Sequence, residues 1–315
     1  MKKITTVAGS ISFDELGVCQ CHEHLFISKG VSYEVNPYLY MDDLQKTIAE
    51  VLSYKAAGGC SLIDAQPVGC NRMAQELRQT SLETGVSIVA ATGFHKLLFY
   101  PEMHWIKSFS ENELYRIYLS ELQEGMYIQC DSRNPEIQVS YCAGLVKAAY
   151  DTEGLEGRYR KLFTAAAHAA IEADVPMMVH MEQEPDPHQL LEFLLSEGMD
   201  PKRLIFCHMD RSIRKQEYYT SIMSQGVTLE FDTIGRFKYH SDEEETVLIK
   251  QLLEAGYDRI LCSLDTTRQR MKTYTKEAIG LDYLLKTFVP QLKNAGVSEK
   301  QLEKILTINS KNVFI

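Results

Sequence analysis

The sequence predicts an α/β fold in which a single domain, residues 1–315, forms a parallel (β/α)8 barrel, the TIM barrel. Three observations predict it: short apolar runs alternate with amphipathic helical segments, eight such runs occur, and no composition shift marks a linker. Repeated β-then-α units favour a parallel sheet, and eight of them favour closure into a barrel. A doubly wound open sheet is the alternative, but the first strand is not followed by a glycine-rich phosphate turn.

Composition excludes several classes of function. The net charge of −10 argues against a nucleic-acid partner, which would require a basic surface. The chain has no run of about 18 apolar residues and no basic-then-apolar leader, so we expect a cytoplasmic protein without a membrane segment. Its eight cysteines are too sparse for a disulfide scaffold, and none form a Cys-x-x-Cys pair that would indicate a thiolate zinc site.

The first three repeats are read from apolar periodicity and glycine stops. Strands are expected at residues 17–26, 61–66 and 86–94, and helices between them at 42–54 and 71–84. The third strand is followed by a long aromatic segment, residues 95–129, with a helix over Glu111–Gln123. Insertions of this length often form the wall of a pocket.

The remaining repeats follow more regularly. Strands are expected at residues 143–150, 175–182, 204–209, 228–234 and 260–265, with helices at 156–173, 186–196 and from 241 to about 256. Asp186 and Pro187 begin one helix as its cap and first residue. Ser241 with Glu244, and Ser298 with Gln301, have the spacing of capping boxes that open two later helices.

A His-x-His pair ends the first strand, in the run Cys19-Gln20-Cys21-His22-Glu23-His24-Leu25. On a strand, His22 and His24 face one side, and Cys21 and Glu23 face the other. Two neutral imidazoles that converge on one point suit a metal ion. The alternative is that they are two polar residues at a strand end.

Further polar residues stand at the ends of later strands: Lys147, His180, His208 and Asp265. The last three are separated by 28 and 57 residues, one and two repeats, as expected of a ring at the C-terminal face of a barrel. Each has an alternative role as a hydrogen-bonded core residue or a cap. Lys147 is the least expected, because a buried ammonium is costly unless it is paired, whereas its carbamate with CO2 is an anionic ligand for two metals.

The other histidines give weaker signals. His95 follows the third strand and is a candidate for the pocket wall. His104 and His240 are expected to be surface or loop residues.

The motifs together resemble the phosphotriesterase-like branch of the amidohydrolase superfamily. The matching segments are Cys21-His22-Glu23-His24-Leu25, Leu145-Val146-Lys147, Val179-His180, Cys207-His208 and Leu264-Asp265. The resemblance implies two divalent metals, usually Zn²⁺ with Mn²⁺, Co²⁺ or Fe²⁺ as alternatives, and often a homodimer. It also implies how the ligands divide: His22, His24 and Asp265 hold one metal, His180 and His208 the other, and carboxylated Lys147 with a hydroxide lies between them.

In this resemblance the hydroxide attacks the substrate, and catalytic Asp265 takes its proton and passes it to the leaving group. Many family members resemble lactonases that act on small molecules. Lys238 and Arg268, on the loops after strands seven and eight, suit a phosphate monoester and are similar to residues of members that open phosphorylated sugar lactones. Those members also carry a lysine where this chain has Asp210, which is followed by Arg211.

The sequence therefore favours a lactonase for a phosphorylated sugar lactone, with Lys238, Arg268 and His95 as substrate-binding residues. Alternatives are an esterase or deacylase for acylated sugars, a weak phosphotriesterase, and a metal-bound barrel that senses a ligand without turnover. Lys238 and Arg268 have their own alternative, as solvated charges paired with the acidic residues 242–245.

Overall fold

Eight parallel strands form a nearly closed barrel in the computed structural model, which describes residues 3–315. Each strand pairs in parallel with the next one along the chain. The strands, named β1 to β8, are Cys19–Glu23, Ser61–Asp64, Ser87–Gly93, Leu145–Tyr150, Met177–Met181, Leu204–Cys207, Thr228–Phe231 and Ile260–Cys262. The predicted fold class is confirmed, and the assignment of residues 1–315 to a single domain stays a prediction.

Helices follow the strands around the barrel. The longer ones are Leu44–Ala56, Ala74–Thr84, Glu111–Gln123, Arg158–Glu172, Pro187–Ser196, Gln216–Met223 and Asp242–Glu254. Shorter helical segments are Val31–Val35, Trp105–Ser108, Leu284–Phe288, Val289–Asn294, Glu299–Glu303, Lys304–Ile308 and Asn309–Asn312. Within residues 3–315, no helix combines the length and the apolar character that crossing a lipid bilayer requires.

The predicted elements all occur, with ends that differ by at most three residues. Both predicted capping boxes are present. The hydroxyl groups of Ser241 and Ser298 each accept a hydrogen bond from the backbone N–H three residues ahead, and the side chain of that residue accepts one from the serine backbone N–H. The features that were not predicted include the helices Val31–Val35, Gln216–Met223, Leu284–Phe288 and Val289–Asn294, a hairpin of Ile4–Thr6 with Gly9–Ile11, and a two-residue pairing of Tyr127–Ile128 with Ile137–Gln138. These elements are too short to give a clear periodic signal.

A separate apolar cluster fills the inside of the barrel beneath the strand ends. Its members come from most of the strands and include Cys19, Cys21, Ile63, Val89, Leu145, Met178, Ile205, Cys207 and Leu261. The larger apolar cluster lies between the strands and the surrounding helices. All eight cysteines are free, in agreement with the absence of a disulfide scaffold.

Strand β1 departs from strict alternation. Its register against β2 shifts between Gln20 and Glu23, and Cys21 packs in the same interior cluster as Cys19. His22 also reaches this interior, with a ring nitrogen within 4.8 Å of the Cys207 sulfur, so the prediction that Cys21 faces away from His22 is wrong. The irregularity lets Cys21 and His22, which are adjacent in sequence, both contribute to the barrel interior.

Two strand ends and one glycine shape the C-terminal face of the barrel. His208 and Asp265 follow β6 and β8 with φ of 61° and 47°, in the left-handed region that residues other than glycine rarely adopt. Gly93 ends β3 with φ of 95°, and a Cβ there would lie 2.0 Å from the carbonyl oxygen of Lys147. Only glycine therefore allows β3 to approach β4 beside Lys147.

Candidate active site

The six predicted metal ligands lie together at the C-terminal face of the barrel. They are less than a tenth exposed: His22, His24, Lys147, His180, His208 and Asp265. The Lys147 Nζ atom lies 3.1 Å from His22 Nε2, and His208 Nε2 lies 2.8 Å from His180 Nδ1. His24 Nε2 lies 3.5 Å from Asp265 Oδ1. Six residues from five strand ends thus converge on one region.

Asp232, which directly follows β7, orients two of these histidines. Its carboxylate accepts hydrogen bonds from His22 Nδ1 at 2.8 Å, from His208 Nδ1 at 2.6 Å and from the His208 backbone N–H at 3.0 Å. Both rings therefore turn their Nε2 atoms toward the cluster, as metal-ligating histidines do when a carboxylate holds the other nitrogen. Asp232 was not predicted from the sequence, although its position at the end of a barrel strand is a signal that could have identified it.

Glu182 performs the same task for His180. Its Oε1 atom accepts a hydrogen bond from His180 Nε2 at 2.9 Å and pairs with Lys96 Nζ at 2.7 Å. His180 therefore presents its other nitrogen, Nδ1, to His208. Lys96 is held in turn by Asp151, at 3.1 Å.

The electrostatics of the cluster favour neutral histidines and an ionised carboxylate. Burial lowers the pKa of His24 to about 3 and those of His180 and His208 well below the usual value, with Arg211 adding to the effect on the last two. Burial also opposes ionisation of Asp265, but the Arg236 guanidinium 2.9 Å away holds the pKa of this carboxyl below its usual range. Neutral imidazole and carboxylate are the forms that bind metals.

The donor set fits a pair of divalent cations. The ligand atoms of His22, His24 and Asp265 all lie within 4.8 Å of one another. Lys147 is fully buried, and among residues 3–315 no carboxylate oxygen lies within 4.0 Å of its Nζ atom. A buried amine without a counter-charge is costly, whereas a carbamate on the same nitrogen would be an anionic ligand. Nitrogen and oxygen donors of this kind suit Zn²⁺ and its neighbours.

A cavity of about 320 Å³ opens above the cluster. One wall is apolar and consists of Ile27, Val35, Leu39, Leu98 and Phe99. The lining also includes polar residues, among them His95, Lys96, Glu182, Arg211 and Arg236. The volume and the mixed lining are typical of a site for a small molecule.

Two arginines bring positive charge to this cavity. Arg236 Nη2 lies 2.9 Å from Asp265 Oδ2, and Arg211 lies 3.9 Å from the same oxygen and 3.8 Å from Glu182. The Nε atoms of both arginines are buried without a hydrogen-bond partner in the described chain. Neither arginine was predicted to bind substrate: Arg211 was noted only as the residue after Asp210, and Arg236 was not noted.

The predicted substrate residues are distributed unevenly. His95 lines the cavity, with its ring centroid 5.3 Å from that of His180. Lys238 lies over the ring of Tyr239 at 4.6 Å and lines a separate cavity of about 280 Å³. Lys238 and Arg268 are therefore not brought together over the cluster, and their role in binding stays a prediction.

The environment of Arg268 explains its position. Its guanidinium lies 5.8 Å from the ring centroids of Tyr40 and Tyr274, and its backbone N–H donates to Tyr38. In the described chain, it forms no ion pair with residues 242–245. Two aromatic rings thus hold this side chain beside the cavity and not inside it.

Asp210, His104 and His240 are structural in this arrangement. Asp210 is fully buried and accepts the Thr233 backbone N–H at 2.6 Å. His104 and His240 lie outside helices and strands, as expected, but they are only 3% and 8% exposed. His104 accepts the Ile106 N–H as a helix cap, and His240 contacts the Thr233 hydroxyl.

Comparisons with known proteins agree with this geometry. The model of the phosphotriesterase family matches residues 2–314. A phospho-furanose lactonase of Mycoplasmopsis synoviae (strain 53) is 29% identical over 320 residues, which cover 98% of this chain and 90% of that protein. An N-acetyltaurine hydrolase of Danio rerio is 26% identical over 354 residues, covering 98% and 97% of the two chains. The solved structure of a lactonase from Listeria monocytogenes superposes with a TM-score of 0.90 at 26% identity, covering 100% of this chain and 99% of that one.

Proposed function

The chain belongs to the phosphotriesterase family and is a hydrolase, and on this premise we propose that it opens a phosphorylated sugar lactone with two bound divalent metal ions. The observation that carries the proposal is the cluster of four histidines, Lys147 and Asp265 beneath a cavity that holds two arginines. The likeness to a phospho-furanose lactonase supports the choice of substrate.

We propose that His22, His24 and Asp265 hold one ion, and that His180 and His208 hold the other. Lys147 would bind both as a carbamate, which forms when its neutral amine attacks CO2, makes a nitrogen–carbon bond and releases a proton. Zn²⁺ is the proposed metal, and the same donors accept Mn²⁺, Co²⁺ or Fe²⁺. When bound, two such ions acidify a water molecule and polarise the carbonyl oxygen under attack.

Asp265 is the proposed catalytic residue. Its carboxylate is kept ionised by Arg236, so it can accept a proton from the attacking water. The water oxygen bonds to the lactone carbonyl carbon, the ring carbon–oxygen bond breaks, and Asp265 returns the proton to the ring oxygen. The product is an open-chain hydroxy acid, and no covalent intermediate with the protein is required.

Arg211 and Arg236 are the proposed phosphate contacts. Both guanidinium groups line the cavity, and both have a buried Nε atom without a partner in the described chain. A planar guanidinium matches the oxygens of a phosphate with two parallel hydrogen bonds. Lys238 remains a proposed contact for a substrate that extends past Arg236, because the adjoining cavity shares that arginine. Arg268 remains a proposed contact that requires the loop after β8 to move.

A second candidate function uses the same centre on an acylated substrate. The apolar wall formed by residues such as Val35, Leu39 and Phe99 can accommodate an acyl group, and the chain is also similar to an N-acetyltaurine hydrolase. This function is a deacylase or esterase reaction, with weak phosphotriesterase activity as a further alternative. It predicts no preference for a phosphate.

The experiment is a pH-indicator assay of the metal-loaded protein on sugar lactones, each tested with and without its terminal phosphate. Two charge-assisted contacts of about 1.5 kcal/mol or more each predict a kcat/KM higher by roughly 100-fold for the phosphorylated member of a pair. Protein stripped with a chelator is the control and should be inactive. Equal rates for both members would remove the phosphate from the proposal, and cleavage of acyl amides or esters alone would favour the second candidate.

We further propose that the enzyme acts in the cytoplasm as a homodimer on a small-molecule substrate, without a nucleic-acid partner. The acidic composition and the family membership support this proposal. Analytical ultracentrifugation should give the mass of two chains, and a single-chain mass would remove the dimer.

A further inference from the structure

The barrel closes between β1 and β8 through side chains. These two strands are the ends of the eight-stranded sheet, and no β-ladder joins them in the described chain. One backbone hydrogen bond crosses the seam, from the Asp265 N–H to the His22 carbonyl oxygen at 3.0 Å. The seam lies beside the proposed metal centre, because residues of both strands supply its ligands.

Glu23 supplies most of the remaining contacts across this seam. Its side chain is fully buried, and its Oε1 atom accepts the Leu264 N–H at 2.9 Å. Its Oε2 atom accepts the Thr266 N–H at 3.0 Å and the Thr266 hydroxyl at 2.6 Å. The three consecutive N–H groups of residues 264–266 are therefore all bound by β1.

The residue between these contacts has an unusual backbone. Asp265 has φ of 47°, a conformation that residues other than glycine keep only where the surroundings determine it. Glu23 fixes the peptide groups on both sides of it. The same network includes the metal-ligand candidate His24, because the His24 backbone N–H donates to the Thr266 hydroxyl at 3.2 Å.

We propose that Glu23 is a positioning residue that sets the distance between the β1 histidines and Asp265. Glu23 does not line the cavity, and it acts through the peptide groups on either side of Asp265 and through Thr266. The position of three ligands for one metal ion thus depends on the residue between the two histidines. This inference depends on the metal centre of the proposed function, but not on the identity of the substrate.

The Glu23→Gln substitution tests this role while preserving side-chain size. Glutamine has one acceptor oxygen, so in either orientation of its amide an N–H group faces the backbone N–H of Leu264 or Thr266. Thr266→Val is a milder second variant, because it removes the hydroxyl and leaves both backbone contacts of Glu23 in place.

Glu50→Gln is the matched control. Glu50 is also a buried carboxylate, only 1% exposed, and it bridges two backbone N–H groups, those of Leu281 at 2.9 Å and Thr273 at 3.0 Å. It contacts none of the six clustered residues. A general loss of stability would therefore appear in both glutamine variants, whereas an effect on the metal centre would appear only in Glu23→Gln.

The experiment loads each protein with Co²⁺ and records the visible absorption bands and the rate of Co²⁺ loss to a chelator. Substituting a residue that orients metal ligands typically weakens binding by about 10- to 100-fold, so we expect Glu23→Gln to lose Co²⁺ at least 10-fold faster, with altered bands. Thr266→Val should shift both readouts in the same direction by a smaller amount, and it decides the question if Glu23→Gln does not fold. Glu50→Gln should match the wild type in both.

Two outcomes overturn the inference while the metal centre stands. The first is that Glu23→Gln, or Thr266→Val if only that variant folds, keeps the wild-type Co²⁺ absorption bands and the wild-type rate of Co²⁺ loss. The second is that Glu50→Gln changes both readouts as much as Glu23→Gln does. A wild-type protein that binds no Co²⁺ would overturn the proposed metal centre and this inference with it.

Discussion

The Asp232→Asn substitution should weaken binding of both proposed metal ions, because one carboxylate orients a histidine from each ligand set. Asp232 accepts three hydrogen bonds, from both imidazoles of His22 and His208 and from the backbone of His208. Asparagine keeps one acceptor oxygen, and its amide nitrogen would face at least one imidazole N–H. One charge-assisted hydrogen bond contributes about 1.5–3 kcal/mol, which corresponds to a loss of roughly 10- to 100-fold in metal affinity.

The assay is a competition between the protein and a chromophoric chelator for Zn²⁺, followed for both equivalents. Asp282→Asn is the control, since Asp282 is also a buried carboxylate, but it pairs with Lys272 at 2.8 Å and Lys286 at 2.7 Å. That variant should bind Zn²⁺ like the wild type. Wild-type affinity in Asp232→Asn would refute the reasoning that this carboxylate orients metal ligands.

Three further predictions follow from the site and its surroundings. Lys147→Ala should lose most bound metal and activity, and unchanged metal content would contradict the carbamate. Arg211→Ala should raise KM by more than about 10-fold for phosphorylated lactones only. Arg268→Ala should change this KM less, because Arg268 stacks on tyrosines beside the cavity. A larger increase of KM in Arg268→Ala than in Arg211→Ala would favour Arg268 as the phosphate contact. Burial lowers the pKa of His104 to about 4, so the unfolded chain binds the proton first as pH falls from 6.5. The contribution of His104 to the free energy of unfolding should therefore fall by up to about 3 kcal/mol between pH 6.5 and pH 4, and urea titrations of His104→Asn should show a fall that is shallower by that amount.

The fold was largely predictable because its signals are local. Strands such as Leu145–Tyr150 and helices such as Glu111–Gln123 carry their periodicity within one short window of sequence. The helix Gln216–Met223 is too short for that. The interior position of Cys21 depends on an irregular register between two strands, which alternation within a single strand does not reveal.

The site was predictable only for side chains with unusual chemistry. Histidines and a lysine at strand ends stand out in an apolar sequence, as His180 and Lys147 do. The carboxylates that position metal ligands do not stand out, because Asp232 binds His22 from 210 positions away and Glu23 binds Leu264 from 241 positions away, and only barrel closure brings these residues together. The conformations of the loops after β7 and β8 likewise decide that Arg236, and not Lys238, faces the cluster.

Anomalous X-ray diffraction from crystals grown with Zn²⁺, measured at the zinc edge, tests the central claim most directly. The account predicts two peaks at the C-terminal face of the barrel, one in contact with His22, His24 and Asp265 and the other with His180 and His208. It also predicts electron density for a carboxylated Lys147 between the two. A single peak, no peak, or an unmodified lysine with both ions bound elsewhere would contradict it.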